Sequence, residues 1–402
     1  MNTRAALHRM AIAIVMLTLL AAGCATQTEA DDLGGDPPPT TDSAEPGSAE
    51  TAGEPVEEDA TAEEDDTAQT VEEEAAALRL GVVGVSMQMT FAPYTSVPID
   101  QGFFAAEGLE VDIIGMPGSS EAVDGVLAGQ LDVALILSPA VLKAIETGAD
   151  VQVFYNHITR NFAVPEVPED SAIQTVADLE GATVGVVSPG AGSIPQIRAL
   201  VQRAGGDPDS MEFLPVGAGP DVAELLGNGS IAVAGLWDSV FASIEGAGVP
   251  LRPVSEPWFD DLGFQGVFVA SREALEADPD LFARFGRAVA QATVFTEANP
   301  DAAIASHWTV YPDSKPAGLD DDAALAVGRA ALEARLPSLV KPDAGWGGAS
   351  PEEIEELQAV LVEGGFLEGV MPVDQIWTDA LLEQINDFDE AAVVTAAEGA
   401  GG

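Results

Sequence analysis

Two stretches that lie 100 residues apart in the chain share one pattern: residues 126–134 read VLAGQLDVA and residues 226–234 read LGNGSIAVA. Each stretch reaches a glycine, where a helix commonly ends, and continues into a short apolar run that is typical of a buried strand. The pattern predicts two similar α/β units in one chain. A helix that ends at glycine before a strand is also a common joint on its own.

Short apolar runs alternate with helical patterns from residue 80 onward. The runs that predict strands are 80–85, 111–114, 133–137, 151–154, 183–187, 211–215, 231–235 and 266–270. The helices predicted between them are near 100–107, 120–129, 139–148, 191–204, 219–227 and 238–246. Strands separated by helices favour mostly parallel sheets and an α/β fold.

The last third of the chain has a helical pattern. The helices predicted there are 272–299, 300–308, 320–336, 351–364 and 376–388. Residues 391–402 end in small residues and glycines, and we expect them to form a disordered tail.

Composition excludes several classes of function. The chain has 402 residues, room for two or three domains, and its 67 acidic and 15 basic residues give a net charge of -52. So negative a chain is a poor nucleic-acid binder, because phosphate contacts need Lys and Arg. Cys24 is the only cysteine and there are three histidines, so we expect no disulfide, no metal site and no cofactor.

The N-terminus has the features of an export signal. Arg4 and Arg9 precede an apolar run over residues 10–22, which is too short to span a bilayer comfortably. The run ends in LAAGC at residues 20–24, which resembles the lipobox of bacterial lipoproteins. The resemblance implies that residues 1–23 are a signal peptide and that Cys24 is lipidated, which places the protein outside the cytoplasm on a membrane anchor. The alternative is an ordinary signal peptide with an incidental cysteine.

An acidic segment follows the cysteine. Residues 25–78 contain 18 Asp or Glu and no Lys, Arg or aromatic residue. Such a segment buries too little apolar surface to order itself, so we expect residues 24–78 to be an extended, self-repelling tether. The alternative is a tail that binds a cationic partner.

Several phrases in the chain resemble one family in their order and spacing. They are APY at 92–94, GFFAAEGLEV at 102–111, GSS at 118–120, LAGQLDVA at 127–134, VADLEGATVGV at 176–186, GDP at 206–208 and PVG at 215–217. Together they resemble the solute-binding proteins of bacterial ABC importers, closest to the nitrate/sulfonate/taurine and thiamine-pyrimidine-precursor group. The resemblance covers residues 80–310 well and 340–390 more loosely. Ala232 departs from the family, where many members carry Asp.

The resemblance implies a two-lobed periplasmic-binding-protein fold, with a ligand cleft between two doubly wound lobes joined by two extended crossings. The first lobe would comprise residues 79–165 and the second lobe residues 166–267, with 268–390 returning to the first. It also implies two partners, a small-molecule ligand and an ABC permease. We expect a monomer.

Topology alone predicts where the ligand lies, since ligands of open α/β sheets bind outside the carboxyl ends of the strands. The candidates in the loops that follow strands are Thr90, Phe91, Tyr94, Ser119, Ser120, Ser138, Ser188, Gly190 and Ser193. Glycine allows close backbone approach, and serine places a hydroxyl beside free amide donors. The alternative for Ser119 and Ser138 is a plain helix cap.

Four further residues are candidates. Trp237 could stack on a planar ligand and Asp238 could accept a hydrogen bond from it, or the two could pack between helices and cap a helix. Asn156 ends a strand and could line the floor of the cleft. Arg160 could hold a carboxylate or sulfonate, or could pair with Glu166 or Glu169.

The sequence therefore predicts a lipid-anchored receptor that captures a small organic molecule or anion and delivers it to an ABC permease. The aromatic candidates favour a planar organic ligand. The alternative is an enzyme on the same fold, similar to a pyrimidine-precursor synthase. No nucleophile with a base stands out in the cleft loops, and the cysteine-rich motif of the fungal pyrimidine synthases is absent.

The anchor is tested by Cys24→Ser. We expect the variant to move from the membrane fraction to the soluble exported fraction, because the acyl chains have no other attachment point. Immunoblots of fractionated cells measure the distribution. A variant that stays with the membrane after a high-salt wash would show that Cys24 is not the anchor.

Overall fold

The computed structural model describes residues 75–84, 87–219 and 221–400. The predicted signal peptide, Cys24 and the tether up to residue 74 lie outside the described residues. Within those that are described, no helix is long and apolar enough to cross a membrane.

The strands form two five-stranded sheets. In chain order the strands are β1 (Ala76–Val83), β2 (Leu109–Met116), β3 (Val133–Leu137), β4 (Val151–Ile158), β5 (Glu166–Pro168), β6 (Thr183–Val186), β7 (Glu212–Pro215), β8 (Val233–Ala234), β9 (Leu251–Pro253) and β10 (Gly266–Ser271). Each of the eight predicted strands is present, with bounds shifted by a few residues. β5 and β9 were not predicted, because three residues carry too little pattern to recognise.

The first sheet has the order β2-β1-β3-β10-β4 and the second the order β7-β6-β8-β5-β9. β1 is parallel to β2 and β3, while β10 lies antiparallel between β3 and β4. In the second sheet, β6 is parallel to β7 and β8, and β5 is antiparallel to β8 and β9. The chain passes from the first sheet to the second over residues 159–165 and returns over 254–265. That the two sheets mark two lobes with the predicted bounds stays a prediction.

Helices cover the sheets. They are α1 (Ser96–Asp100), α2 (Phe103–Ala106), α3 (Ser119–Leu127), α4 (Ser138–Glu146), α5 (Ser193–Arg203), α6 (Asp221–Gly227), α7 (Asp238–Gly246), α8 (Pro257–Asp260), α9 (Arg272–Ala277), α10 (Pro279–Ala298), α11 (Pro300–Val310), α12 (Asp321–Arg335), α13 (Pro351–Glu363), α14 (Leu382–Ile385) and α15 (Glu390–Gly399). The longest, α10, packs its apolar face into the core beneath the first sheet.

The repeated sequence pattern corresponds to a repeated structure. Gly129 and Gly229 have positive φ angles of 64° and 75°, which non-glycine residues seldom adopt, and each follows a helix that leads into a central strand. In the first sheet, a Cβ at Gly81 of β1 would lie 2.5 Å from Leu131. In the second, a Cβ at Gly185 of β6 would lie 2.6 Å from Ile231. In both units, therefore, an aliphatic side chain packs directly against a glycine of a central strand.

Four predictions for the C-terminal part and the start of the fold are wrong. Most of the predicted helix 376–388 is not helical, and only α14 (Leu382–Ile385) forms there. The predicted helix 272–299 is two helices, because the Asp278 side chain accepts the backbone N–H of Leu281 and begins a new one. Residues 391–399 are not a disordered tail but most of α15, which buries Val393 and Ala397. The fold also begins slightly before residue 79, since β1 starts at Ala76.

Candidate functional site

The loop after β1 brings a buried hydroxyl to the edge of the first sheet. A 3-10 turn spans Met89–Tyr94, and the Thr95 hydroxyl closes it by donating to the Phe91 carbonyl at 2.8 Å. Thr90 is 1% exposed, yet its Oγ1 has no hydrogen-bond partner among the described residues. A buried hydroxyl without a partner costs about 1–3 kcal/mol, so Thr90 lies ready to bind an additional polar group.

His307 of α11 holds this loop in place. Its Nδ1 lies 2.9 Å from the Ser96 hydroxyl and its Nε2 lies 3.2 Å from the Met87 carbonyl. Burial is the main cause that lowers the pKa of His307, so the ring is neutral and can donate one of these bonds and accept the other.

Trp237 and Asp238 follow β8 in the second sheet. Trp237 is extended and half-buried, and Asp238 is the first residue of α7. The Asp238 backbone N–H donates to the Phe162 carbonyl at 3.0 Å, which ties the start of α7 to the first crossing.

Thr90 and Trp237 line one cavity of about 350 Å³. The polar side chains at its wall are Gln88, Thr90, Ser239 and Ser243, and none of the described residues that line it is charged. Ala331 of α12 forms another part of the wall. Two of the predicted residues, one from a loop after a strand of each sheet, therefore line the same cavity.

A buried ion pair lies beside this cavity. Arg335, the last residue of α12, donates to the Asp238 carboxylate through two nitrogens at 2.6 and 2.8 Å, and the two side chains are 7% and 9% exposed. The Phe162 ring covers the guanidinium at 4.5 Å. Burial pulls the pKa of Arg335 down, but the charge and hydrogen bonds of Asp238 outweigh it and leave that pKa above its ordinary value.

A second cavity of about 540 Å³ is lined by Asp238 itself. Arg160 is exposed and lines it, and four acidic residues join Asp238 in its wall: Glu166, Glu245, Asp260 and Asp261. Burial, followed by the charges of Glu245 and Asp238, raises the pKa of Glu166 to about 7.

Phe91 and Tyr94 belong to the same turn as Thr90, but their side chains are buried in the core. Tyr94 is 1% exposed and meets the His157 ring edge to face at 5.1 Å, and Phe91 packs on Tyr94 at 5.6 Å. Neither ring lines the two cavities described above. Burial, with the nearby positive charge of Arg335, lowers the pKa of His157 to about 3. The packed rings of Phe91, Tyr94 and His157 therefore fix the position of the Thr90 loop.

The loops that contain Ser138 and Ser193 lie against each other. Ser138 is fully buried and its Oγ lacks a partner in the described part of the chain, while the Ser193 hydroxyl donates to the Gly235 carbonyl at 2.9 Å. A Cβ at Gly192 would lie 3.3 Å from Pro139, so the Ser138 and Ser193 loops face each other. Ser188 and Gly190 are exposed in the same turn. Neither of the two cavities is lined by these residues.

Ser119 and Ser120 begin α3, but the N-cap of that helix is Gly118 and no side chain caps it. Leu137 is likewise the N-cap of α4, so the capping alternative is wrong for both Ser119 and Ser138. Asn156 is turned toward the C-terminal part, where its amide donates to the Gly348 carbonyl at 3.1 Å. That any of these residues contacts a ligand stays a prediction.

Sequence reasoning missed Arg335. It lies at the end of a helix about 100 residues from Asp238, and no local pattern marks it. Gln196 and Gln265, which join α5 to the second crossing at 3.2 Å, were missed for the same reason. In the described residues, no group of three or more His, Cys, Asp and Glu could hold a metal; the expectation that no metal or cofactor binds stays a prediction.

Comparison with known proteins identifies the family. A family model described as NMT1/THI5 like matches residues 91–303, more than half of the 402-residue chain, so the chain belongs to the NMT1/THI5-like family. The formylaminopyrimidine-binding protein of Halalkalibacterium halodurans is 25% identical over 285 residues, which cover 68% of this chain and 81% of that protein.

Solved structures show the same fold. The alkanesulfonate-binding protein SsuA from Xanthomonas axonopodis pv. citri, bound to MOPS, is 20% identical with a TM-score of 0.55, and covers 76% of this chain and 99% of its own. A Candida albicans protein described as having the generic periplasmic binding protein fold is 16% identical with a TM-score of 0.51, over 77% and 95% of the two chains. The α/β fold of this protein is therefore the periplasmic-binding-protein fold.

The buried ion pair is tested by Asp238→Asn. We expect the free energy of unfolding to fall by about 3 kcal/mol, because Arg335 would stay buried without its counter-charge. Asp301→Asn is the matched control, since the Asp301–Arg329 pair is about half exposed and should cost less than about 1 kcal/mol. Urea unfolding measures both. Equal losses in the two variants would contradict the account.

The neutral state of His157 is tested by His157→Phe. The folded-state pKa lies below the ordinary value of about 6.5, so the stabilisation is full above that pH and is lost as the pH falls. Between pH 6.5 and 4.5 the wild type should lose about 2 kcal/mol relative to the variant. Unfolding free energies at the two pH values measure this loss. Glu166→Gln should show the opposite sign, because its raised pKa stabilises the fold at low pH; the same trend in both variants would refute the assignment.

Proposed function

We propose that this protein is a non-enzymatic solute receptor of an ABC importer and that the cavity between Thr90 and Trp237 holds its ligand. Membership of the NMT1/THI5-like family supports the proposal, as do relatives whose names describe pyrimidine and alkanesulfonate binding. By analogy with those relatives, the ligand is a small organic molecule and the receiving partner is a permease.

The unpartnered hydroxyl of Thr90 carries the assignment of the site. It is buried at the wall of a cavity that is also lined by Trp237, which follows a strand of the second sheet. A ligand that accepts from or donates to Thr90 would satisfy the hydroxyl, while its ring would stack on Trp237. Gln88, Ser239 and Ser243 supply further polar groups of both donor and acceptor type.

Binding is favoured over catalysis by the place of the Ser96–His307 pair. Nucleophilic catalysis needs a hydroxyl and a base that a substrate can reach. Ser96 and His307 are within hydrogen-bond distance, but both are fully buried, and the second ring nitrogen faces the Met87 carbonyl rather than a carboxylate. The pair positions the Thr90 loop, and we assign it no chemical step.

The proposal includes export and attachment through Cys24. The tether, which would run from residue 24 to the start of β1 at Ala76, would separate the folded part from the membrane, and its 18 acidic residues would keep it extended beside an anionic surface. The receptor could then reach a permease in the same membrane while staying attached to it.

The site is tested by Thr90→Val and Trp237→Ala. Mass spectrometry of protein purified without added solute first identifies the carried ligand. Thr90→Val should lower its affinity by about 1 kcal/mol, the usual net contribution of a hydrogen bond, without lowering stability, because the hydroxyl has no partner in the ligand-free protein. Trp237→Ala should cost about 2 kcal/mol or more.

Calorimetric titration and melting curves measure these effects. Thr293→Val is the control for Thr90, because its buried hydroxyl donates within α10 to the Val289 carbonyl and lies far from the cavity walls. Unchanged affinity in both Thr90→Val and Trp237→Ala would move the site elsewhere. A folded protein that carries no solute and binds none would contradict the receptor function itself.

A further inference from the structure

The Asp238–Arg335 pair lies where the two cavities adjoin. Asp238 lines the larger cavity, and its neighbours Trp237 and Ser239 line the smaller one. On α12, Ala334 lines the larger cavity and Ala331 the smaller. Asp238 is therefore in the wall of the larger cavity, and Arg335 lies directly behind it, next to residues of α7 and α12 that line the smaller cavity.

The hydrogen-bonding edge of Arg335 is already in use. Its Nε and Nη2 both donate to Asp238, and the flat face of the guanidinium is covered by Phe162. This two-point geometry is the one that a guanidinium offers to a carboxylate or a sulfonate. Asp238 thus occupies the positions that an anionic ligand would need.

No other charge compensates for an anion at the smaller cavity, since its walls carry neutral side chains only. The larger cavity has Arg160 against Glu166, Glu245, Asp260 and Asp261. An anion entering either cavity would lose its water and would meet a neutral or a negative wall, which is unfavourable.

We propose that Asp238 determines the charge of the ligand: by occupying Arg335 it makes the site select an uncharged polar molecule and reject sulfonates and carboxylates. The inference rests on the proposed function and narrows its ligand class. Asp238 is then a specificity-determining residue, and Arg335 is an anion site that the protein closes with its own carboxylate.

Removal of the carboxylate should reverse the preference. In Asp238→Asn the side-chain shape is kept, while Arg335 becomes an unpaired cation behind residue 238, close to both cavities. MOPS serves as the anionic probe and formylaminopyrimidine, at pH 8, as the uncharged one. We expect wild type to bind MOPS at least 10-fold more weakly than Asp238→Asn does, a difference of about 1.4 kcal/mol.

Three controls accompany the titrations. The double variant Asp238→Asn/Arg335→Gln should lose the gained MOPS affinity, because the cation is gone. Asp301→Asn removes an exposed negative charge of the same type and should leave MOPS affinity unchanged. Melting curves verify that each variant is folded.

The outcomes separate this inference from the proposed function. A folded Asp238→Asn variant with no gain in MOPS affinity would overturn the inference, as would a gain that survives in the double variant. If the variant does not fold, wild type decides: tighter binding of MOPS than of formylaminopyrimidine, or a carried ligand that is anionic, overturns the inference but leaves the receptor function in place. Wild type that binds and carries no small molecule contradicts the proposed function.

Discussion

A buried guanidinium and a buried carboxylate must satisfy each other, and in this protein Asp238 and Arg335 do so across two parts of the fold. Asp238 begins a helix of the second sheet, and Arg335 ends α12, which packs on the Thr90 loop of the first. Removal of either partner would leave a buried charge without compensation, and the resulting loss of stability is larger than the stability that an exposed ion pair contributes. The pair therefore requires α7, α12 and the first crossing to meet in one arrangement, and the cavity walls follow from that arrangement.

The sequence predicted the fold class because its repeated pattern reflects repeated packing. Gly129 and Gly229 end helices with positive φ, and Leu131 and Ile231 press on glycines of central strands. The glycines that end helices are local features and can be recognised in the sequence, whereas the contacts of Leu131 with Gly81 and of Ile231 with Gly185 are tertiary. The elements that were not predicted depend on distant contacts. β5 and β9 are three-residue strands that form by pairing within the second sheet, β5 with both β8 and β9, and α15 is stabilised by packing against α10.

Two residues of the cavity that we propose as the ligand site were among the predicted candidates, for a similar reason. The strand-end rule found Thr90 and Trp237, which line one cavity, because topology alone decides where strands end. It placed Phe91 and Tyr94 in the same loop but could not predict that the Tyr94 ring packs inward on His157 and Phe268, with Phe91 packed on Tyr94. The role of Arg335 could not be predicted either, because tertiary packing, and not the spacing of residues in the sequence, decides which residue it pairs with.

The most direct test of the central claim is a crystal structure of the protein with the ligand that it carries from the cell. The account predicts a ligand between Thr90 and Trp237, with a polar atom within hydrogen-bond distance of Thr90 Oγ1 and the Asp238–Arg335 pair intact. A ligand bound instead between the Ser138 and Ser193 loops, or beside Arg160, with Thr90 still unpartnered, would contradict it.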